Sequence, residues 1–416
     1  MLDADVLIVG AGPVGLLSAV ALVQKGVKVI VIEADARLND SPRAAIYFPS
    51  TLCALKELGL LEDLEQRGFR NSRLKHHVPG LGYHALLSLE VLRGVTFDYM
   101  VHAGQDVVDE VAMEHARRQG AQVLFEHCLI GLEQDAEAAT ARIATPAGER
   151  AIRASWVIGA DGARSAVRRL LGVEFAGHTW GNRFVATNVY GDFSAAGYER
   201  ANFICDPIYS GVVALLDREG LWRLTYQEDA ALPAETFMER LAERYAHFLP
   251  PGMKYEIKAA RPYTIHQRCA TRLRMGRVCL AGDAAHATNP LGGLGLTTGV
   301  WTGLILSDLL AALVAGEPDT AILDRFSDQR RRVFWEVTSP GATENKRMAE
   351  EKDLEQRRRD IATVQAAVDN PEIARLMMAF PFKVIGDPLR ADSRWRGFDP
   401  TAAAGIDLAA RRAQVG

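Results

Sequence analysis

Six residues near the amino terminus, Gly10-Ala11-Gly12-Pro13-Val14-Gly15, have the types and spacing to seat a pyrophosphate. Gly10 permits a tight turn, Gly12 lets phosphates approach the backbone, and Gly15 lets the next helix pack closely on its strand. A helix starting here offers free N–H groups and a positive dipole end to the phosphates. Glu33, with Ala34 beside it, falls at the end of the next apolar run. A carboxylate there can accept hydrogen bonds from ribose hydroxyls. It also disfavours a 2′-phosphate, so the dinucleotide held here is FAD or NAD rather than NADP.

Two other stretches carry an acid at a strand end. "WVIGADGARSAVRR" places Asp161-Gly162 between an apolar run and a helix pattern, and "RVCLAGDAAHATNP" does the same with Gly282-Asp283. Alone, each aspartate reads as a helix N-cap. Three strand ends converging on one ligand favour a binding role instead, because ligands of open α/β sheets lie beyond the carboxyl ends of the strands. Past Asp283 come Pro290 and then glycines at 292, 293, 295 and 299, a bare backbone that could lie against a flat ring.

The elements that must hold these residues follow from periodicity. Asp5–Val9, Val29–Ile32, Trp156–Ile158 and Gly276–Ala281 read as buried parallel strands. Helices are expected over 16–25, 49–61, 105–118, 294–314, 322–349 and 354–368, and a hairpin over 142–152. The last forty or so residues look irregular. From about 179 to 261, aromatic residues and short alternating runs indicate an antiparallel sheet. The fold class is therefore α/β with an α+β insert: a Rossmann-like nucleotide domain, an inserted antiparallel sheet and C-terminal helices. The expected division is 1–75, 100–178 and 265–345 for the nucleotide domain, 76–99 and 179–264 for the insert, and 346–416 for a helical segment and tail.

The three motifs, in this order and spacing, resemble those of the single-component (class A) FAD-dependent aromatic monooxygenases, the para-hydroxybenzoate hydroxylase-like enzymes. "SPRAAIYFPSTLCALKELGLL" is similar to their phenol hydroxylase branch, and the insert to para-nitrophenol 4-monooxygenase-type members. The resemblance covers about residues 1–345. It implies FAD, with NADH or NADPH as electron donor, and hydroxylation of a small phenol by O₂ through a flavin C4a-hydroperoxide. Carried over, Gly10, Gly12, Gly15 and Glu33 hold the AMP half, and Arg43 and Gln105 lie along the pyrophosphate and ribityl chain. Asp161 serves both FAD and NAD(P)H, Asp283 takes a ribityl hydroxyl, and Pro290 with Gly292, Gly295 and Leu296 lines the ring. Leu294, Leu296 and Thr297 depart from the Gln, Met and Asn common in this branch. No second strand–GxGxxG–helix unit exists, so Arg164 and Arg168, with Arg43, are the cations expected to meet the nicotinamide phosphates.

Hydroxylation needs the phenolate, and a phenolic proton with a pKa near ~10 needs a hydrogen-bonding or cationic partner. Arg223, Tyr226, Tyr209 and Trp222 in the insert, and His266 on the returning strand, are the candidates for substrate contact. His286 is expected to cap or pack at a helix start. His76, His77 and His84 show no carboxylate or cysteine pattern, so no metal is expected. Rival readings are a flavin enzyme of another type on the same scaffold, such as a halogenase or reductase, an NAD-dependent dehydrogenase, and a non-catalytic flavin-binding protein.

Composition agrees with a soluble enzyme. The chain has 416 residues, a formal net charge of −4 and 48% hydrophobic residues, which argues against a nucleic-acid binder or a disordered chain. Five scattered cysteines without CxxC suggest a reduced, cytoplasmic protein. Val6–Val23 is apolar throughout, yet Asp3 and Asp5 precede it and glycines interrupt it, unlike a signal peptide or a membrane span. The expected partners are a small aromatic substrate and O₂, with the protein a monomer or homodimer.

Overall fold

The computed structural model describes residues 2–40, 42 and 44–398. Five parallel strands form the heart of the first sheet, in the order Val278–Leu280, Gly148–Gly159, Ala4–Val9, Val29–Ile32 and Gln122–Leu124. All six side chains of Ala4–Val9 are buried or nearly so, as befits a strand covered on both faces. This strand lies between Val29–Ile32 and Gly148–Gly159, where the winding reverses. Gly10–Gly15 therefore leaves the sheet at its topological switch point.

The apolar stretch 6–23 is a strand, a glycine turn and the helix Pro13–Val23, packed on the helix Leu294–Val314. That second helix is long and apolar enough to cross a membrane, but 78% of its most apolar window is buried inside the protein.

The second sheet has eight strands: His286–Ala287, Tyr255–Ala270, Phe175–Gly191, Leu221–Asp229, Gly211–Leu215, Ala201–Ile204, Arg73–Val78 and Tyr83–Ser88. Its longest pair, Phe175–Gly191 with Tyr255–Ala270, runs from the nucleotide side into the insert, with register irregularities between Thr179 and Arg183 and between Asn188 and Val189. One face packs under the helix Phe237–Tyr245 through Val185, Val189, Trp222, Leu224, Tyr226, Leu241 and Phe248. The other face carries Phe184, Ile265 and Tyr263 against Leu291, in the loop before the helix Leu294–Val314.

Four local expectations need correction. The helix expected over 49–61 stops at Glu57, because Gly59 turns the chain with φ +74°, and a separate helix runs Leu61–Arg67. The 322–349 pattern is Ile322–Val333 and Ser339–Glu350 joined by one π-helical turn, Phe334–Thr338. The hairpin residues after Gly148 and the buried run 156–158 form a single 12-residue strand. The end of the chain is more ordered than expected, up to residue 398. Pro371–Ala379 is a helix, and Trp395 is buried edge-on against Trp301, its indole N–H donating to the Leu304 carbonyl at 3.1 Å.

Candidate functional site

The glycine turn is built as its spacing predicts. Gly10 has φ +107°, and a Cβ there would lie 2.5 Å from the Ala160 carbonyl oxygen. A Cβ on Gly15 would be driven into the Gly10 carbonyl, with Ile8 Cγ2 at 3.3 Å. Those two glycines serve the protein's own packing. Gly12 is different. A Cβ there would meet nothing within 4 Å, its φ of −80° and ψ of 178° suit any residue, and it begins its helix with no side-chain cap. No packing among the described residues requires the bare backbone at Gly12, which leaves room for a ligand to approach. Glu33 Oε2 accepts from the Ala11 N–H at 2.9 Å and Oε1 from the Asp35 N–H at 3.1 Å. The carboxylate thus ties the turn to the next strand and keeps lone pairs for ribose hydroxyls. Ala34 beside it is exposed.

The two Gly-Asp pairs part company. Asp161 Oδ2 accepts from the Ala166 N–H at 2.6 Å and the Val167 N–H at 3.1 Å, so this aspartate binds the start of the helix Ala166–Leu170 beside its N-cap, Ser165. Its Oδ1 is buried without a hydrogen-bond partner among the described residues, an acceptor that a cofactor hydroxyl could satisfy. Asp283 is exposed on a single 3₁₀ turn, Gly282–Ala284, at the carboxyl end of Val278–Leu280. Beyond it Pro290 is exposed, and Gly292, Gly293, Gly295 and Leu296 are half-buried. Gly292 and Gly293 have φ of +89° and +68°, and the helix Leu294–Val314 starts at Gly293 without a side-chain cap or an acid in its first turn. Its N–H groups are left for a negatively charged or electron-rich ligand edge. Gln105 opens the helix Gln105–Arg118 and is buried, its Nε2 3.5 Å from Asp109 Oδ2. Arg43 lies outside the described residues.

Together these features fit FAD. Two helix starts, at Gly12 and Gly293, lack a side-chain cap, and among the described residues a Cβ on Gly12 would have no packing contact and Asp161 Oδ1 has no hydrogen-bond partner.

Arg168 does not fit its expected role. Its guanidinium donates to the Ala284 and Ala163 carbonyls at 2.9 and 2.6 Å, stacks 3.8 Å over Phe175, and is buried. It braces the strand end rather than reaching for phosphates. Arg164 is exposed, four residues nearer the Gly-Asp turn.

Alternation along Leu221–Asp229 sorts the substrate candidates. Tyr226 and Trp222 point into the core under the helix Phe237–Tyr245, and so cannot face the nucleotide domain. Tyr209 stacks on His247 and Arg244 on that same outer side. His266 is bound to Thr179 Oγ1 at 3.0 Å, partly exposed. Arg223 alone among the five faces inward from this strand. It is 5% exposed, its Nε donates to Asn188 Oδ1 at 2.7 Å on the adjacent strand, and Asn188 and Arg223 are direct cross-strand partners. Burial pushes the guanidinium down to about 10, while Tyr263, Asp106 and Tyr47 nearby pull it back up.

Sequence reasoning missed Tyr47, Tyr263 and Asn188. Tyr47 is 2% exposed, and its hydroxyl has no hydrogen-bond partner among the described residues. Burial, then Asp109 and Asp106, hold its phenol well above the usual range. Only the cross-strand register, invisible in spacing, puts Asn188 beside Arg223.

Two histidines are settled as well. His286 packs on Phe334 and binds Thr302 Oγ1 at 2.9 Å; burial holds it down to about 3. His76 has a cysteine neighbour that is distant in sequence. Its Nε2 lies 3.3 Å from Cys205 Sγ. Burial keeps the imidazole down to about 4 and pushes the thiol up, so the pair is neutral rather than a thiolate nucleophile.

Residues 3–340 match the FAD binding domain family. The chain is 42% identical over 375 residues to para-nitrophenol 4-monooxygenase of Pseudomonas sp. (strain WBC-3), covering 89% of this chain and 93% of that protein. It is 38% identical over 345 residues to 6-hydroxy-3-succinoylpyridine 3-monooxygenase HspB of Pseudomonas putida (strain DSM 28022 / S16), covering 82% and 88%. Among solved structures, p-nitrophenol 4-monooxygenase PnpA from Pseudomonas putida DLL-E4 superposes with a TM-score of 0.88 at 41% identity, over 92% of this chain and 98% of that one.

Proposed function

We propose, from the premise that this chain belongs to the FAD binding domain family and is an FAD-dependent aromatic monooxygenase, that its substrate is a small phenol carrying an electron-withdrawing para substituent, p-nitrophenol being the first compound to try. FAD, when bound, supplies the two-electron reduction and the activation of O₂. The protein's own residues bind and orient the ring, exclude water and stabilise the phenolate. NADH or NADPH serves as donor, with the exposed Arg164 beside its phosphates. Gly12, Glu33, Asp161, Asp283 and the 290–296 backbone hold the flavin nucleotide. The enzyme works in the cytoplasm.

The observation that carries the substrate reading is Arg223. A buried cation on the inner face of the substrate sheet, aimed by Asn188 and set near Tyr47 and Tyr263, suits an anionic oxygen on a single ring. A charge-assisted hydrogen bond from it would favour phenolate over phenol. The relatives that act on p-nitrophenol support the same class. The likeness to the hydroxypyridine enzyme makes an electron-poor hydroxypyridine the second compound class, sharing the acidic ring hydroxyl.

The test is a panel of substituted phenols and hydroxypyridines offered to FAD-loaded protein, with NADH and NADPH, scored by donor oxidation and oxygen uptake. The expected result is strong stimulation by p-nitrophenol with matching product. Donor oxidation that no phenol raises above its basal rate would refute the reading.

A further inference from the structure

The loop that leads to the flavin-side glycines is held by three amides, two buried and one half-buried. Gln267 is 1% exposed. Its Oε1 accepts from Thr288 Oγ1 at 2.8 Å, from the Asn289 N–H at 3.3 Å and from Asn289 Nδ2 at 3.4 Å. Its Nε2 donates to Ser339 Oγ at 2.9 Å and to the Ser339 carbonyl at 3.3 Å. Asn289 is fully buried, donates to the Ala342 carbonyl at 2.9 Å, and accepts from the Leu291 N–H at 3.1 Å. Asn345 reaches the Leu291 carbonyl at 3.3 Å from the same helix as Ser339 and Ala342. Leu291 is thus clamped at both its N–H and its carbonyl. The next two residues, Gly292 and Gly293, take left-handed φ values.

Two further connections give this network a direction. Gln267 lies on the same strand as Tyr263 and Ile265, and alternation puts all three on one face. Ile265 and Tyr263 are part of the apolar wall that meets the Leu291 side chain and Phe184. At the other end, Ser339 follows the π-helical turn Phe334–Thr338, and Thr338 Oγ1 lies 2.9 Å from Thr298 Oγ1 in the second turn of the helix Leu294–Val314. A single strand therefore carries the substrate wall and the brace of the flavin-side loop.

We propose that Gln267, with Asn289 and Asn345, is a positioning unit that fixes the 290–296 loop relative to the substrate sheet, so that ring and phenol are held at one separation. None of the three touches the reacting atoms; they act through the loop. The idea rests on the proposed flavin and phenol sites. Its consequence is partition. Productive turnover converts NAD(P)H, H⁺, O₂ and substrate into NAD(P)⁺, hydroxylated product and water. When ring and substrate are misaligned, NAD(P)H, H⁺ and O₂ give NAD(P)⁺ and H₂O₂ instead. A small misplacement at the reacting centre is costly because the step depends on near-attack geometry.

The experiment compares FAD-loaded wild type with Gln267→Leu, Asn345→Ala and the milder Thr288→Val, which removes one hydrogen bond to Gln267 at nearly constant volume. The readouts are the Kd for FAD, the visible spectrum of bound flavin before and after p-nitrophenol, and H₂O₂ formed per NAD(P)H consumed. The expected result is an FAD Kd within about threefold of wild type, because the Gly10–Glu33 end is untouched. The flavin band should shift in the resting holoenzyme, and the H₂O₂ fraction should rise several-fold, least in Thr288→Val. Should Gln267→Leu fail to fold, Asn345→Ala and Thr288→Val carry the test. Folded variants with wild-type spectra and wild-type coupling overturn the proposal. The resting spectrum needs no substrate, so a wrong substrate assignment, seen as wild type unresponsive to every phenol, stays distinguishable from a wrong positioning unit.

Discussion

Two glycines three residues apart make opposite demands, and substituting them separates cofactor binding from folding. At Gly12 the backbone conformation suits any L-residue, and a new Cβ meets nothing within 4 Å. Gly12→Val should leave the stability of the flavin-free protein within about 0.5 kcal/mol, as for substitutions that disturb no contact. It should abolish FAD loading, since the added methyls stand where the pyrophosphate must meet the helix start. At Gly15 a Cβ would collide with the Gly10 carbonyl, with that carbonyl carbon at 3.2 Å and Ile8 Cγ2 at 3.3 Å, all on rigid, buried elements. Overpacking of this kind costs about 1–3 kcal/mol even where side chains can yield. With backbone as the obstacle, about 3 kcal/mol is the expected floor for Gly15→Ala. At roughly 2–4 °C per kcal/mol for a large domain, that lowers Tm by about 6–12 °C. The assay is thermal unfolding with and without added FAD, beside flavin absorbance of the purified protein. Wild type should gain about 2.7 kcal/mol at an FAD concentration a hundred times its Kd, and Gly12→Val should gain none. A Gly12→Val protein that stays yellow, or a Gly15→Ala protein that melts like wild type, would refute the division of labour.

Other outcomes follow from the same geometry. Arg223→Met should lower kcat/KM for phenols by about 10- to 150-fold, the worth of a hydrogen bond to a charged group, whereas Tyr226→Phe, on the opposite face with a hydroxyl that has no partner among the described residues, should leave kinetics unchanged; steady-state rates with a phenol series decide this. Arg164→Ala should raise KM for the nicotinamide donor without changing Tm, while Arg168→Ala should lower Tm by removing a buried brace; equal effects on both readouts would contradict the placement. Acid should destabilise the fold through its buried histidines. His76 and His102 are held down to about 4 and His286 to about 3, all by burial. Below an unfolded pKa of ~6.5 the unfolded chain binds protons that the native one refuses, so stability is full above that value and falls as pH drops towards the folded pKa values. Each contributes roughly 2 kcal/mol of loss by pH 5, at 1.36 kcal/mol per unit. Denaturant melts at pH 7 and pH 5 measure the total, and His286→Asn should flatten the slope.

The turn proposed to hold the nucleotide was legible in the amino-acid order, because it is made of backbone. Gly10, Gly12 and Gly15 act through what they lack, Glu33 through its place at a strand end, and all four sit within one local strand–turn–helix–strand unit whose geometry the chain order dictates. The same holds for the glycines after Asp283, which open the helix Leu294–Val314 where the apolar run begins. The substrate site was legible only in part, because its residues meet across strands. Arg223 and Tyr226 are three positions apart and of equally suitable chemistry. Alternation sends one inward to Asn188 and the other under a helix, and which face is inward depends on what covers the sheet. Asp161 and Arg168 likewise matched their motif, yet a helix start and the Ala284 carbonyl claimed their polar atoms first. Tertiary structure decided these cases for one physical reason: side-chain chemistry depends on the neighbours that burial imposes, and those neighbours are distant in sequence.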